Sequence, residues 1–177
     1  MATIRGYIAA SVDGFIADKA GDVAWLEPFN DMDFGYDRFI QEIGTVVLGR
    51  KTYNQSRNLS PDWAYPGKRG IVVTSHPLDD APDGVSAWSN SIAALADHMQ
   101  ELDGGDVWVV GGAQLQSTLF DLNAIDRLEL FVIPVLLGGG VPLFAELKAS
   151  QGLKLEAMES FENGVVRLDY RPGPTSG

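Results

Sequence analysis

The chain alternates short apolar runs with segments whose apolar residues recur at helical spacing. Residues 3–12 read as an apolar strand ending in the turn Asp13-Gly14. Phe15-Ile16-Ala17 follows, and then a loop over 18–22. Tyr36, Phe39, Ile40 and Ile43 fall on one helix face, which predicts a helix over 33–43. Thr45-Val46-Val47-Leu48 predicts a buried strand ending at Gly49. The stretch 54–69, rich in Pro, Asn, Ser and Gly, predicts a long surface connection. A further strand is expected over 70–74, stopped by Ser75-His76-Pro77. Ile92, Leu95, Ala96, Met99 and Leu102 predict a helix over 90–102, with Ser89 and Asn90 as its caps. Residues 107–110 predict a buried strand running into Gly111-Gly112 and a helix over 112–121. A strand over 127–135 precedes Leu136-Leu137 and three successive glycines at 138–140. The alternating stretches 153–161 and 165–171 flank Asn163-Gly164, a strong hairpin signal.

Strands alternating with helices, then strands alone, predict an α/β fold. A central, mixed but mostly parallel sheet carries helices on its faces and ends in a C-terminal antiparallel hairpin. The expected organisation is one domain over 1–171 and a disordered tail over 172–177.

Composition narrows the function classes. A chain of 177 residues with 45% hydrophobic content can bury one substantial core. Its net charge of −11 argues against a nucleic-acid-binding surface, which needs clustered Lys and Arg. The absence of cysteine excludes disulfides, a thiol nucleophile and cysteine-bound zinc, and with only two histidines no metal site is expected. No long apolar run and no signal peptide are evident, in agreement with a cytoplasmic protein that has no membrane partner.

In open α/β sheets, ligands sit beyond the carboxyl ends of the strands. Three such ends carry suggestive residues: Gly49-Arg50-Lys51-Thr52, Thr74-Ser75-His76 and Gly111-Gly112. A strand that stops at two glycines and restarts as a helix offers bare N–H groups at a positive helix end, a seat for phosphate. Several such ends on neighbouring strands suit a ligand with several phosphates. Neither Gly-x-Gly-x-x-Gly nor Gly-x4-Gly-Lys-Ser/Thr is present, so a Rossmann dehydrogenase and a P-loop enzyme are not expected.

Four segments in order resemble one known family: Tyr-Ile-Ala-Ala-Ser-Val-Asp-Gly-Phe-Ile-Ala (7–17), Val-Val-Leu-Gly-Arg-Lys-Thr-Tyr (46–53), Val-Val-Gly-Gly-Ala (109–113) and Pro-Val-Leu-Leu-Gly-Gly-Gly-Val-Pro-Leu-Phe (134–144). The chain resembles the dihydrofolate reductase-like superfamily. Within it, the likeness is to the C-terminal reductase domain of the bifunctional riboflavin-biosynthesis deaminase/reductase. The resemblance implies NADPH as cofactor. Ala9 matches the strand position whose backbone meets the nicotinamide amide, and Ile16 lies in the segment that closes over that ring. Gly49, Arg50, Lys51 and Thr52 match the segment holding the adenosine phosphates, with Arg50 at the 2′-phosphate and Thr74 and Ser75 as hydroxyl partners. Val110, Gly111, Gly112 and Ala113 match the turn under the pyrophosphate, and Gln114 stands where the family often adds a basic phosphate contact.

Substrate-side matches are looser. Counting back from Leu48-Gly49-Arg50 without gaps puts Asp33 where a folate reductase has its helix carboxylate, with Asp37 competing one turn later; Asp33 near a helix start is also a natural cap. Phe131 falls where a folate enzyme has a threonine, Lys68 where it grips the folate tail, and Trp25 is the tryptophan expected at the pocket. The expected function is NADPH-dependent reduction of a small heterocyclic or ribosyl-amino-pyrimidine-like substrate, with a homodimer as the assembly. The alternatives are dihydrofolate reduction and a non-catalytic protein that binds NADPH or a flavin-like ligand.

Overall fold

The computed structural model describes residues 1–60 and 62–173. Its strands are β1 (Ile4–Ser11), β2 (Phe15–Ala17), β3 (Ile43–Gly49), β4 (Arg69–Val73), β5 (Val85–Trp88), β6 (Asp106–Gly111), β7 (Arg127–Ile133), β8 (Val141–Pro142), β9 (Leu153–Ser160) and β10 (Val166–Pro172). Its helices are α1 (Tyr36–Glu42), α2 (Arg50–Leu59), α3 (Ile92–Glu101) and α4 (Ala113–Asp121), with a 3-10 turn over Ala24–Phe29.

The eight-stranded sheet has the order β5-β4-β3-β6-β1-β7-β10-β9, and β2 pairs with β8 in a separate ribbon. Every pair from β5 to β7 is parallel, while β10 runs antiparallel to β7 and β9. The mixed sheet with a closing antiparallel hairpin is therefore as expected. Gly164, at φ +86°, and the Asn163 side chain, which accepts from Val165 N at 3.3 Å, form its turn.

Strand alternation sorts the core onto both faces. Ile4, Val47, Val107 and Val109 pack with Leu95 and Met99 of α3 and Leu115 and Leu119 of α4. Val46, Leu48 and Trp108 point the other way, onto Phe39 of α1 and Tyr53 of α2. A third cluster, around Phe131, Ile133 and Val165, takes in Trp25, Phe34 and Phe161.

Several expected boundaries shift. The surface connection over 54–69 is helical as far as Leu59, because α2 buries only Tyr53 and so lacks the apolar periodicity that marks a helix. The cap of α3 is Ser91, whose Oγ accepts from Ala94 N at 3.1 Å, and not Ser89 or Asn90. The strand expected to reach 135 stops at Ile133, before Pro134, which has no N–H for the ladder. β10 runs on through Pro172, which pairs with Leu153, so the boundary expected after 171 falls inside a strand; 174–177 lie outside the described residues.

Candidate active site

The glycines at two adjacent strand ends make the site. β3 ends at Gly49, which is the N-cap of α2; β6 ends at Gly111, and Gly112 is the N-cap of α4. No side chain caps either helix, so first-turn N–H groups of both point out at the carboxyl edge of the sheet. A Cβ placed on Gly49 would lie 3.5 Å from Gly112 N and 3.7 Å from Gly111 O, and one on Gly112 would lie 3.6 Å from Thr52 Oγ1. Gly111 has φ +138°, a conformation other residues rarely adopt, and the Gly111–Gly112 peptide is cis. Two positive helix ends, with no Cβ to hold a ligand off, are an arrangement that can accept an anion.

Arg50 extends this arrangement to the next strand. From the first turn of α2 its Nη1 donates to Pro77 O at 3.1 Å, beyond the end of β4. There Thr74 Oγ1 accepts from His76 N at 3.2 Å, and Ser75 Oγ lies 3.1 Å from His76 Nδ1. Gly49, Arg50, Thr52, Thr74, Ser75, Gly111 and Gly112 thus gather along one edge. Lys51 and Gln114 are exposed beside them, Ala113 opens α4, and Val110 is half-buried against the α1–α2 cluster. Gln116, one turn into α4, is fully buried, and neither atom of its amide has a partner among the described residues. Its position on a helix face gave no sequence signal for this.

Beyond β6 the edge becomes aromatic. Ala9 of β1 pairs in register with Phe131 of β7, and β2, carrying Ile16, packs on β1. The Phe131 ring lies 4.7 Å from that of Tyr7 and 6.2 Å from that of Phe34. Trp25 joins this cluster, its buried Nε1 without a partner among the described residues. Gly35 is the N-cap of α1, and Asp33, two residues before it, accepts from Gly35 N at 2.9 Å and Tyr36 N at 2.8 Å; Asp37 is exposed in the first turn. Burial pushes the Tyr7 hydroxyl well above the ordinary tyrosine value; Arg167 opposes this, and the negative charges of Glu129 and Asp33 add to it. Lys68 does not join the site: its Nζ donates to Ile43 O at 2.7 Å, at the opposite end of β3.

Sequence reasoning also missed a buried ionic network on the α1 face. Glu129, 1% exposed, accepts from Arg5 Nη2 at 2.7 Å and Arg167 Nη2 at 2.7 Å. Arg5 also bonds Glu42 at 2.6 Å and Asp106 at 3.1 Å, while Arg127 bonds Asp169 at 2.8 Å. A cleft of about 250 Å³ opens along this network beside α1. The signal available was charge at inward-facing strand positions, Arg5, Glu129 and Asp169, where a half-buried strand would ordinarily be apolar. Among the described residues no group of three or more His, Asp or Glu stands where it could hold a metal ion. Among the described residues no helix is long and apolar enough to cross a membrane.

The family described as the RibD C-terminal domain matches residues 2–167. This chain belongs to that family. The chain is 36% identical to the uncharacterized protein YwjB of Bacillus subtilis over 165 residues, 93% of this chain and 94% of that one. Its fold matches the Thermotoga maritima diaminohydroxyphosphoribosylaminopyrimidine deaminase/5-amino-6-(5-phosphoribosylamino)uracil reductase with a TM-score of 0.74 at 20% identity, covering 97% of this chain and 57% of the larger protein. It also matches dihydrofolate reductase from Enterococcus faecalis, solved with NADP(H), with a TM-score of 0.71 at 24% identity over 97% and 96% of the two chains. The RibD C-terminal domain family is thus represented here on a dihydrofolate reductase-like fold.

Proposed function

We propose that this protein is an NADPH-dependent reductase of a small heterocyclic or ribosyl-amino-pyrimidine-like substrate. The observation that carries the reading is the pair of uncapped helix starts at Gly49 and Gly112, with Arg50 reaching from one of them to the Thr74-Ser75 turn. These residues fit a dinucleotide. The glycine backbone would hold the pyrophosphate. Arg50 would bond a 2′-phosphate with charge-assisted hydrogen bonds, aided by Thr74 and Ser75. When bound, the cofactor supplies a hydride. The chain's own part is placement and exclusion of water. Ala9 and Ile16 would border the nicotinamide end, and Trp25 and Phe131 would wall the substrate. Asp33 or Asp37 is the carboxylate available to support a proton. We further propose that two copies pair through β9, whose eight residues are all exposed and include Leu155 and Met158, and that the protein works in the cytoplasm.

A second reading, that the protein binds NADPH or a flavin-like ligand without turnover, is favoured by Asp33, whose Oδ1 already accepts from the backbone N–H groups of Gly35 and Tyr36. Two measurements separate the readings. A thermal-shift titration with NADPH tests the cofactor: no stabilisation at saturation would remove the reductase reading and leave of the second only the flavin-like ligand. NADPH oxidation with dihydrofolate and with ribosylaminopyrimidine substrates tests turnover; binding without oxidation of any of them leaves the second reading.

A further inference from the structure

At the carboxyl end of β1 two loops far apart in sequence are joined through one side chain. Asp13 Oδ2 accepts from Gly138 N at 2.7 Å, and Oδ1 accepts from Leu137 N at 3.1 Å and from Ser11 Oγ at 2.6 Å. Ser11, itself buried, accepts from Phe15 N at 3.0 Å through the same Oγ, which ties the carboxylate to the start of β2. The backbone closes around this hub. Val12 N donates to Val135 O at 3.0 Å, Leu143 N donates to Gly14 O at 2.8 Å, and β2 pairs with β8. The glycines allow the approach: a Cβ on Gly140 would collide with the Ala17 carbonyl oxygen, and one on Gly139 would meet Lys19 Cε at 2.7 Å. Hydrogen bonds to a carboxylate are among the stronger ones a loop can form.

The hub's place along the sheet edge gives it a role. The proposed phosphate cradle lies on β3 and β6, and Arg50 marks the β4 side of it. A dinucleotide seated there with its adenosine half toward β4 must extend its other half over β1 and β7, where the two loops meet. The structure assigns Asp13 as a positioning residue for that half. By anchoring the 13–17 segment to the Leu137–Gly138 backbone, it fixes Ile16 and β2 where the nicotinamide end would lie. The assignment rests on the reductase reading above.

The test compares NADPH with 2′,5′-ADP, which carries the adenosine half alone, on Asp13→Ala and Asp13→Asn, by calorimetric titration. Asp13→Ala should weaken NADPH about tenfold or more, with 2′,5′-ADP within about twofold of wild type. Asp13→Asn, which keeps one accepting oxygen, should lose less. A general loss of structure would weaken both ligands together, so retained 2′,5′-ADP binding also shows that the variant folds. Should Asp13→Ala not fold, Ser11→Ala removes the adjoining bond and should show the same selective loss in smaller measure. Equal losses for the two ligands, or unchanged NADPH affinity in Asp13→Ala (in Ser11→Ala, should Asp13→Ala not fold), would overturn the role of Asp13. Wild-type protein that binds neither ligand would overturn the reductase reading instead.

Discussion

Gly49 and Gly112 face each other across the β3–β6 boundary, and a Cβ on the first would sit 3.5 Å from the backbone nitrogen of the second. That is ordinary van der Waals contact, and Gly49 has φ −71°, which any residue can adopt. The fold therefore has room for alanine at Gly49. What the methyl group would occupy is the open ground above the two helix starts.

Gly49→Ala should accordingly separate binding from stability. Its melting temperature is expected to stay within a few degrees of wild type, a change of about 1 kcal/mol or less. Its NADPH affinity is expected to fall about tenfold or more. Paired thermal melts and calorimetric titrations check this, and a large drop in melting temperature with unchanged affinity would contradict it.

Arg50→Ala should alter cofactor choice. The guanidinium already bonds Pro77 O, so removing it disturbs one exposed hydrogen bond and little else. Losing charge-assisted bonds to a 2′-phosphate, worth about 1.5–3 kcal/mol, should weaken NADPH by roughly ten- to a hundredfold. NADH, which lacks that phosphate, should change far less. Equal losses for the two cofactors would remove Arg50 from the 2′-phosphate.

Glu129 holds the centre of the ionic network, bonded to Arg5 and Arg167 and 1% exposed. Truncating it leaves two arginines facing a hole in a desolvated site. Glu129→Ala is expected to cost about 3–5 kcal/mol in urea unfolding. Replacing Arg5 and Glu129 together by Met and Leu should cost less than Glu129→Ala alone, because the most deeply buried arginine is then gone and the groups that lose a partner, Arg167, Glu42 and Asp106, all reach solvent.

Acid should loosen the same region. The hydrogen bond from Arg5 holds the Glu42 carboxyl below its ordinary value of 4.5, burial opposes this, and the charges of Arg5, Arg38 and Arg127 add to it. Folded protein thus releases this proton at lower pH than unfolded chain. The stabilisation is fully present above pH 4.5 and is lost as pH falls through the depressed folded value. Glu42→Gln should therefore flatten the fall in stability below that pH, as read from urea midpoints across an acid series. An unchanged slope would show that other carboxylates carry it.

Met158, 68% exposed on β9, tests the proposed pairing of copies. Met158→Asp should shift the protein toward monomer in sedimentation measurements without lowering its melting temperature by more than the lost association explains. A wild-type protein that sediments as a monomer would end the pairing proposal.

The sheet and its edge were legible because their signals are local. Four apolar residues at 107–110 running into Gly111-Gly112 mark a strand and the turn after it. Asn163-Gly164 marks a hairpin, and period-two alternation assigns faces. α2 was hidden because a helix that buries Tyr53 alone carries almost no apolar period. Asp33 was legible as an acid near a helix start, and the structure finds it bonded to Gly35 N and Tyr36 N.

The amino-acid sequence by itself determined the order of elements, the mostly parallel sheet, the glycines at the strand ends and the family, since each depends on residues close together in the chain. Only the tertiary structure decided that Gly49 and Gly112 meet, that Arg50 reaches the turn after β4, that Glu129 joins Arg5 to Arg167, and that Asp13 grips a backbone 125 residues away. Those contacts are set by strand order and register, which bring side chains together without regard to their separation in sequence, and no local pattern of residues encodes them.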